Sequence, residues 1–291
     1  MFSMTLSKVP SWDVAIVWFR RDLRLQDHPA LVEAVERARI VVPLFVLDEG
    51  LLAAAAPARA WYLRGALHDL DADLQARGSR LLVHEGAPTE VVPALARELR
   101  ADVVLASRDV TPFSHRRDAA VASALQADGR RLALRSGLLL AEPESMLTSA
   151  DRPYQVFTPF WKALAGRTRR SLLPAPDRIH MPDGGATGAP PPPAGTPPLP
   201  GLPGAGASSA HVRLREWVSA GLEHYGADRD VLAGTGTSRL GVDLHFGTLS
   251  PLQVEAAAHG SGVDPTPFVR QLAWREFYHH LLFHQRDGAA G

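Results

Sequence analysis

Over the first 136 residues, five short β-type runs at 13–19, 40–47, 80–84, 102–106 and 131–134 alternate with four longer segments at 29–39, 58–77, 88–100 and 115–128, each rich in Ala, Leu, Arg and Glu. No other feature constrains the fold as tightly. A run such as Ile40-Val41-Val42-Pro43-Leu44-Phe45-Val46-Leu47 has no polar face, so it suits a strand covered on both sides, as in a parallel sheet. Alternation at this spacing implies βαβ units and a doubly wound α/β domain over 1–136. Within 58–77, Trp61, Leu63, Leu67, Leu70 and Leu74 form an apolar stripe that covers one face of such a sheet.

The pattern then changes. Residues 181–210 hold nine prolines and seven glycines, a composition that reads as an extended linker at the end of a connector spanning 137–210. Beyond it the pattern is helical, at 212–220, 251–259 and 265–284. The last of these carries Val269, Leu272, Ala273 and Phe277 on one stripe and Trp274, Tyr278, Leu281 and Leu282 on another. Only residues 211–291 follow the linker, so one of those two faces is expected to stay uncovered and prone to association.

Composition removes several function classes. There are no cysteines, which excludes disulfides, thiolate metal sites and cysteine nucleophiles. The 31 basic and 31 acidic residues cancel, so any nucleic-acid contact must come from a local patch. No apolar run approaches the ~20 residues of a membrane span, and Met1 to Pro10 lacks the features of a signal peptide; the chain reads as cytoplasmic. The twelve histidines include no H-E-x-x-H, and the adjacent His279 and His280 point different ways on a helix, so no metal site is expected.

Three segments carry chemistry. Arg20, Arg21 and Arg24 follow the first strand, where open α/β sheets place ligands; interleaved with Asp22 and Asp27 they equally read as an ion-paired loop. Neither G-x-G-x-x-G nor a Walker motif follows that strand. The block Gly234-Thr235-Gly236-Thr237-Ser238-Arg239-Leu240-Gly241 combines close backbone approach, hydroxyls and a guanidinium, which suits phosphate, or it is an ordinary loop before the next element at 242–246. Trp274 and Tyr278 lie one helical turn apart beside Arg270 and Arg275, an arrangement for stacking on a planar ring or simply for a core.

In chain order, Val17-Trp18-Phe19-Arg20-Arg21-Asp22-Leu23-Arg24-Leu25, Tyr154-Gln155-Val156-Phe157-Thr158-Pro159-Phe160-Trp161-Lys162, Gly236 to Gly241 and Gln271-Leu272-Ala273-Trp274-Arg275-Glu276-Phe277-Tyr278 resemble the signature stretches of the photolyase/cryptochrome family. The resemblance implies an α/β antenna domain, a connector, and over 211–291 the start of a helical FAD- and DNA-binding domain. It implies a light-driven lyase in which reduced FAD splits pyrimidine dimers in damaged DNA, the damaged dinucleotide being flipped out of the duplex. A cryptochrome-like blue-light photoreceptor and an inactive remnant are the alternatives.

Carried over by position, the resemblance implies that Tyr225, Thr237, Ser238, Arg239, Leu240, Gly241 and Arg275 contact FAD. Arg229, Gln271 and Trp274 are then the DNA contacts, with Trp274 packing on the flipped dimer. Gln271 stands where many family members carry glutamate, and Gly241 where they carry serine, removing one phosphate hydrogen bond. Arg59 and Asp109 match positions that contact a deazaflavin antenna, which is favoured over methenyltetrahydrofolate. No residue matches the family's later carboxylate, asparagine or photoreducing tryptophans. Gly291 falls 13 residues after Tyr278, so the flavin site is expected to be incomplete in this sequence. A monomer is expected for the complete protein.

Overall fold

A computed structural model describes residues 11–181, 188–189, 191–231 and 233–285. The decapeptide read for a signal sequence and the linker residues 182–187 and 190 lie outside them. Five strands, β1 (Trp12–Phe19), β2 (Ala38–Leu47), β3 (Leu82–Glu85), β4 (Val103–Ser107) and β5 (Arg131–Arg135), form one parallel sheet in the order β3-β2-β1-β4-β5. Successive β1 residues alternate between its faces, Ala15, Val17 and Phe19 entering one core and Ile16 and Trp18 the other. The unbroken apolar runs follow directly: both faces are covered.

One core is closed by α1 (Pro29–Arg37) and α3 (Pro57–Gln75), the other by α4 (Pro88–Glu98) and α5 (Pro112–Ala127). This is the doubly wound class the alternation predicts. The expected stripe on α3 is displaced: Tyr62, Ala66, Leu67, Leu70 and Leu74 are buried, whereas Trp61 and Leu63 flank the core. Two local signals set details the periodicity missed. Thr111 accepts from Ser114 N–H with Pro112 at the first helical position, so α5 starts three residues earlier than expected. Asp48 accepts from the N–H groups of Gly50 and Leu51 and starts the short α2 (Glu49–Ala53).

The second half contains α6 (Phe157–Ala165), α7 (Ala207–Glu216), α8 (Tyr225–Asp228), α9 (Gly241–Phe246), α10 (Pro251–His259) and α11 (Thr266–His284), with a π-helical turn at Trp217–Gly221. The two stripes of α11 fare differently: the first is covered from both flanks, while of the second Trp274 and Leu281 are only partly buried. Phe268, Val269 and Leu272 pack with α7, α8 and α10, while Ala273 and Phe277 pack against Phe157, Phe160 and Leu164 of α6. The connector supplies the second cover, a contribution that counting only the residues after the linker leaves out. Tyr278, at 62% exposure, and Leu282 stay open.

The arginine loop after β1 joins the halves. Three consecutive carbonyls at the C-terminal end of α9 are engaged in turn: Arg21 Nε donates to His245 O at 3.0 Å, Leu23 N–H to Phe246 O at 3.2 Å, and Arg24 Nη1 to Gly247 O at 3.0 Å. Arg24 is fully buried and also donates to Gly137 O and Asp27 O, so for this residue the ion-paired-loop reading becomes a backbone latch.

Candidate functional site

Two clefts and one helix face hold the residues singled out above. The first cleft opens at the C-terminal ends of β1, β2 and β4, where β1 has neighbours on both sides and the order of strands reverses, the general ligand position of open α/β sheets. Its larger lobe is about 350 Å³, walled by Phe45, Leu51, Arg59 and Leu63 and closed by His245 and Phe246 of α9. The adjoining lobe of about 230 Å³ brings in Asp109 and Phe113. Arg59 lines the larger lobe and Asp109 the smaller one, and the two lobes share Arg20, Arg21, Phe45, Val46, Asp48 and Leu51.

The electrostatics there are strongly ordered. Burial pushes the Asp109 carboxyl up, but Arg21 at 3.5 Å and the Thr111 N–H outweigh it and hold the group below its ordinary range. Burial together with Arg21, Arg59 and Arg275 drives His245 down to about 4, so its imidazole is neutral at pH 7. Arg20 is bound to Asp118 and to Ser107 O. Arg59 remains exposed at the rim.

The second cleft, about 820 Å³, lies between residues 201–204, helix α7 and the loop carrying Thr235, Thr237, Ser238 and Arg239. Arg213 and Trp217 complete its lining, and the buried indole N–H of Trp217 has no partner in the structure. Arg239 takes a left-handed backbone, φ 55°. Gly241 opens α9. Leu240 and Tyr225 instead lie beneath the cleft: Leu240 is buried, and Tyr225 packs edge-on against Trp217 and Phe268, with centroids 5.5 and 5.4 Å apart.

On α11, Gln271 is exposed and Trp274 stacks on Phe157 with centroids 3.7 Å apart and planes within 8°. Arg270 sits over the same Phe157 ring and Tyr278 beside Trp274. Arg275, one residue on and therefore about 100° round the helix, points elsewhere. It donates to Leu138 O at 3.1 Å and to Glu276 at 2.7 Å, facing the connector and the arginine loop, away from the Thr237 cleft. Arg229 ends α8 beside Asp230 at 3.6 Å. The structure thus unites Thr237, Ser238 and Arg239, unites Gln271 with Trp274, and separates Arg275 from both.

Glu276 makes a pH prediction. It is buried, accepts from Leu140 N–H at 2.7 Å, and burial raises its carboxyl to about 7 against the lowering pull of Arg275. Its folded pKa exceeds the unfolded value of 4.5. The unfolded chain therefore gives up this proton first, and stability falls as pH rises from about 4.5 to about 7, by roughly 3 kcal/mol. Glu276→Gln is expected to flatten that part of the profile in urea unfolding. Superimposable profiles for the two proteins would rule this out.

Sequence reasoning missed the polar hub beneath both clefts. Asp243 of α9, fully buried, accepts from Tyr62 Oη at 2.6 Å and from Arg213 at 2.8 and 3.1 Å, with Thr248 alongside. Its only local signal was a lone acid in the apolar run 242–246. Among the described residues no group of histidine, aspartate and glutamate side chains could hold a metal ion, and no helix is long and apolar enough to cross a membrane.

This architecture is that of a doubly wound α/β domain latched to a helical unit that carries a polar cleft. Residues 15–178 match the family model for DNA photolyase. The chain is 39% identical over 271 residues to a deoxyribodipyrimidine photo-lyase of Thermus thermophilus, covering 92% of this chain and 60% of that protein. It is 31% identical to an uncharacterized 31.6 kDa protein in the atpI 5′ region of Synechococcus sp. PCC 6716, covering 92% of this chain and 100% of that one. The crystal structure of a bacterial class III photolyase from Agrobacterium tumefaciens superposes with a TM-score of 0.82 at 30% identity, covering 97% of this chain and 61% of that one. The chain belongs to the DNA photolyase family. It spans about 60% of the length of the photo-lyases it matches.

Proposed function

We propose that this chain serves light-dependent repair of pyrimidine dimers, with FAD as cofactor and damaged DNA as substrate. The observation that carries the reading is the placement, on one helical unit, of a hydroxyl- and guanidinium-lined cleft at Thr237, Ser238 and Arg239 beside a helix presenting Gln271 and the stacked Trp274. The donors of the cleft, with Arg213 and the unpartnered Trp217 N–H, fit the diphosphate end of FAD. When bound, FAD supplies light-driven one-electron chemistry.

In this reading Thr237, Ser238 and Arg239 hold the phosphates, while Tyr225, Leu240 and Gly241 shape the loop. Arg229 meets the DNA backbone, and Gln271 and Trp274 meet the flipped lesion. Arg275 acts indirectly, holding α11 against the connector. The switch-point cleft takes the antenna, a deazaflavin, against Arg59 and Asp109. The reading places a monomer in the cytoplasm and divides it at 1–136, 137–210 and 211–291.

Because Arg275 faces the connector and not the phosphate cleft, FAD is expected to leave the purified chain on gel filtration; stoichiometric flavin coeluting with it would contradict this. Repair is therefore assayed with excess reduced FAD and an oligonucleotide carrying one thymine dimer. Blue light is expected to restore the intact strand, and Arg239→Ala to abolish the gain. Photoreversal no faster than with flavin alone would overturn the reading.

A further inference from the structure

The proline- and glycine-rich stretch that reads as a free linker is docked along its described length. Val83 N–H donates to Ala189 O and Ala189 N–H to Val83 O, both at 3.1 Å, so the stretch pairs with β3, which is an edge of the sheet. It then crosses the outer side of α3. Trp61 Nε1 donates to Gly195 O at 3.0 Å, Asp69 accepts from Ser208 N–H at 3.1 Å, and between them a side chain on Gly65 would put its Cβ only 2.6 Å from the Cβ of Ala205. Trp61, Gly65 and Asp69 are spaced by four, one row on the helix, about 100° round from the row of Tyr62, Ala66 and Leu70 that faces the sheet.

The composition has a physical reason in this setting. Prolines hold an extended backbone without internal hydrogen bonds, and glycine and alanine let it lie close to a helix. An edge strand left open presents unpaired N–H and C=O groups that a second chain can complete, and covering it with a loop is one remedy.

We infer that residues 188–189 and 191–206 belong to a strap whose seat on α3 at Gly65 keeps the β3 edge closed, and that its release lets β3 pair with β3 of a second copy of this chain. Identical edges pair antiparallel about a two-fold axis, which closes the assembly as a dimer. The strap also builds the wall of the larger cleft, since Arg213 Nη2 donates to Gly204 O at 3.1 Å, but the inference does not depend on what that cleft binds.

The test is Gly65→Leu, which blocks the seat while favouring the α3 helix itself, with Ala189→Pro as a second variant that leaves the seat intact, removes the Ala189 N–H and fixes that residue's φ. Hydrogen exchange of the Val83 amide is expected to accelerate about tenfold in both. Sedimentation over a concentration series is expected to show a dimer in the variants at concentrations where the wild-type chain shows none. Unchanged Val83 exchange and unchanged proteolysis across residues 191–204 in both variants would overturn the seat. Accelerated exchange with sedimentation identical to wild type would overturn the edge-guard role. If Gly65→Leu loses cooperative unfolding, the Ala189→Pro result decides.

Discussion

Gly247→Ala is expected to unlatch the two halves of the molecule and to cost at least about 3 kcal/mol. Gly247 takes φ +70°, and a Cβ there would lie 1.9 Å from Arg21 O and 2.5 Å from its carbonyl carbon. The left-handed backbone alone costs an alanine about 1–2 kcal/mol. The contact adds more, because the obstacle is backbone and cannot rotate away. Relief requires moving the α9 end off the β1–α1 loop, which breaks the bonds from Arg21, Leu23 and Arg24 to the carbonyls of residues 245–247. Urea unfolding checks the magnitude, and exchange of the Leu23 amide checks the location. An unchanged unfolding midpoint with Leu23 still protected would show that the latch tolerates a side chain.

Asp243→Ala is expected to cost about 3–5 kcal/mol, the range for removing one partner of a buried ion pair. The carboxylate satisfies Tyr62, 2% exposed, and both arms of Arg213. Without it the buried phenol is left with Thr248 alone and the guanidinium with Gly204 O alone, and α3, α7 and α9 lose their common fastening. A double-mutant cycle isolates the pair. Tyr62→Phe should cost about 1–2 kcal/mol in the wild-type background and close to nothing beside Asp243→Ala. Additive losses would mean that the phenol does not draw on Asp243, and the hub reading would fail.

Both predictions concern contacts between distant parts of the chain, and this is where local reading ran out. Strands, helices and their class were legible because burial on two faces leaves unbroken apolar runs such as 40–47, and one-sided burial leaves the stripe on α3. The loop at Thr237, Ser238 and Arg239 stood out in the sequence as a glycine-rich run of hydroxyls with a guanidinium, and in the structure it lines a cleft. Helical periodicity also separates Trp274 from Arg275, since adjacent residues on a helix cannot share a face.

What each face meets was settled by tertiary packing. Arg275 meets the connector carbonyl of Leu138, and Ala273 and Phe277 of α11 meet α6, a segment more than a hundred residues earlier. The proline-rich stretch is the sharpest case. Its composition establishes that it cannot build a core or a helix, and that much holds. Whether such a chain floats or lies against a surface depends on a matching groove elsewhere, here the row of Trp61, Gly65 and Asp69 on α3. Sequence periodicity records which residues must leave water, because that demand is local. The partner that receives them, and the buried acid at Asp243 that three helices share, arise only when remote segments meet, since the energy of a buried polar contact depends on both sides being present.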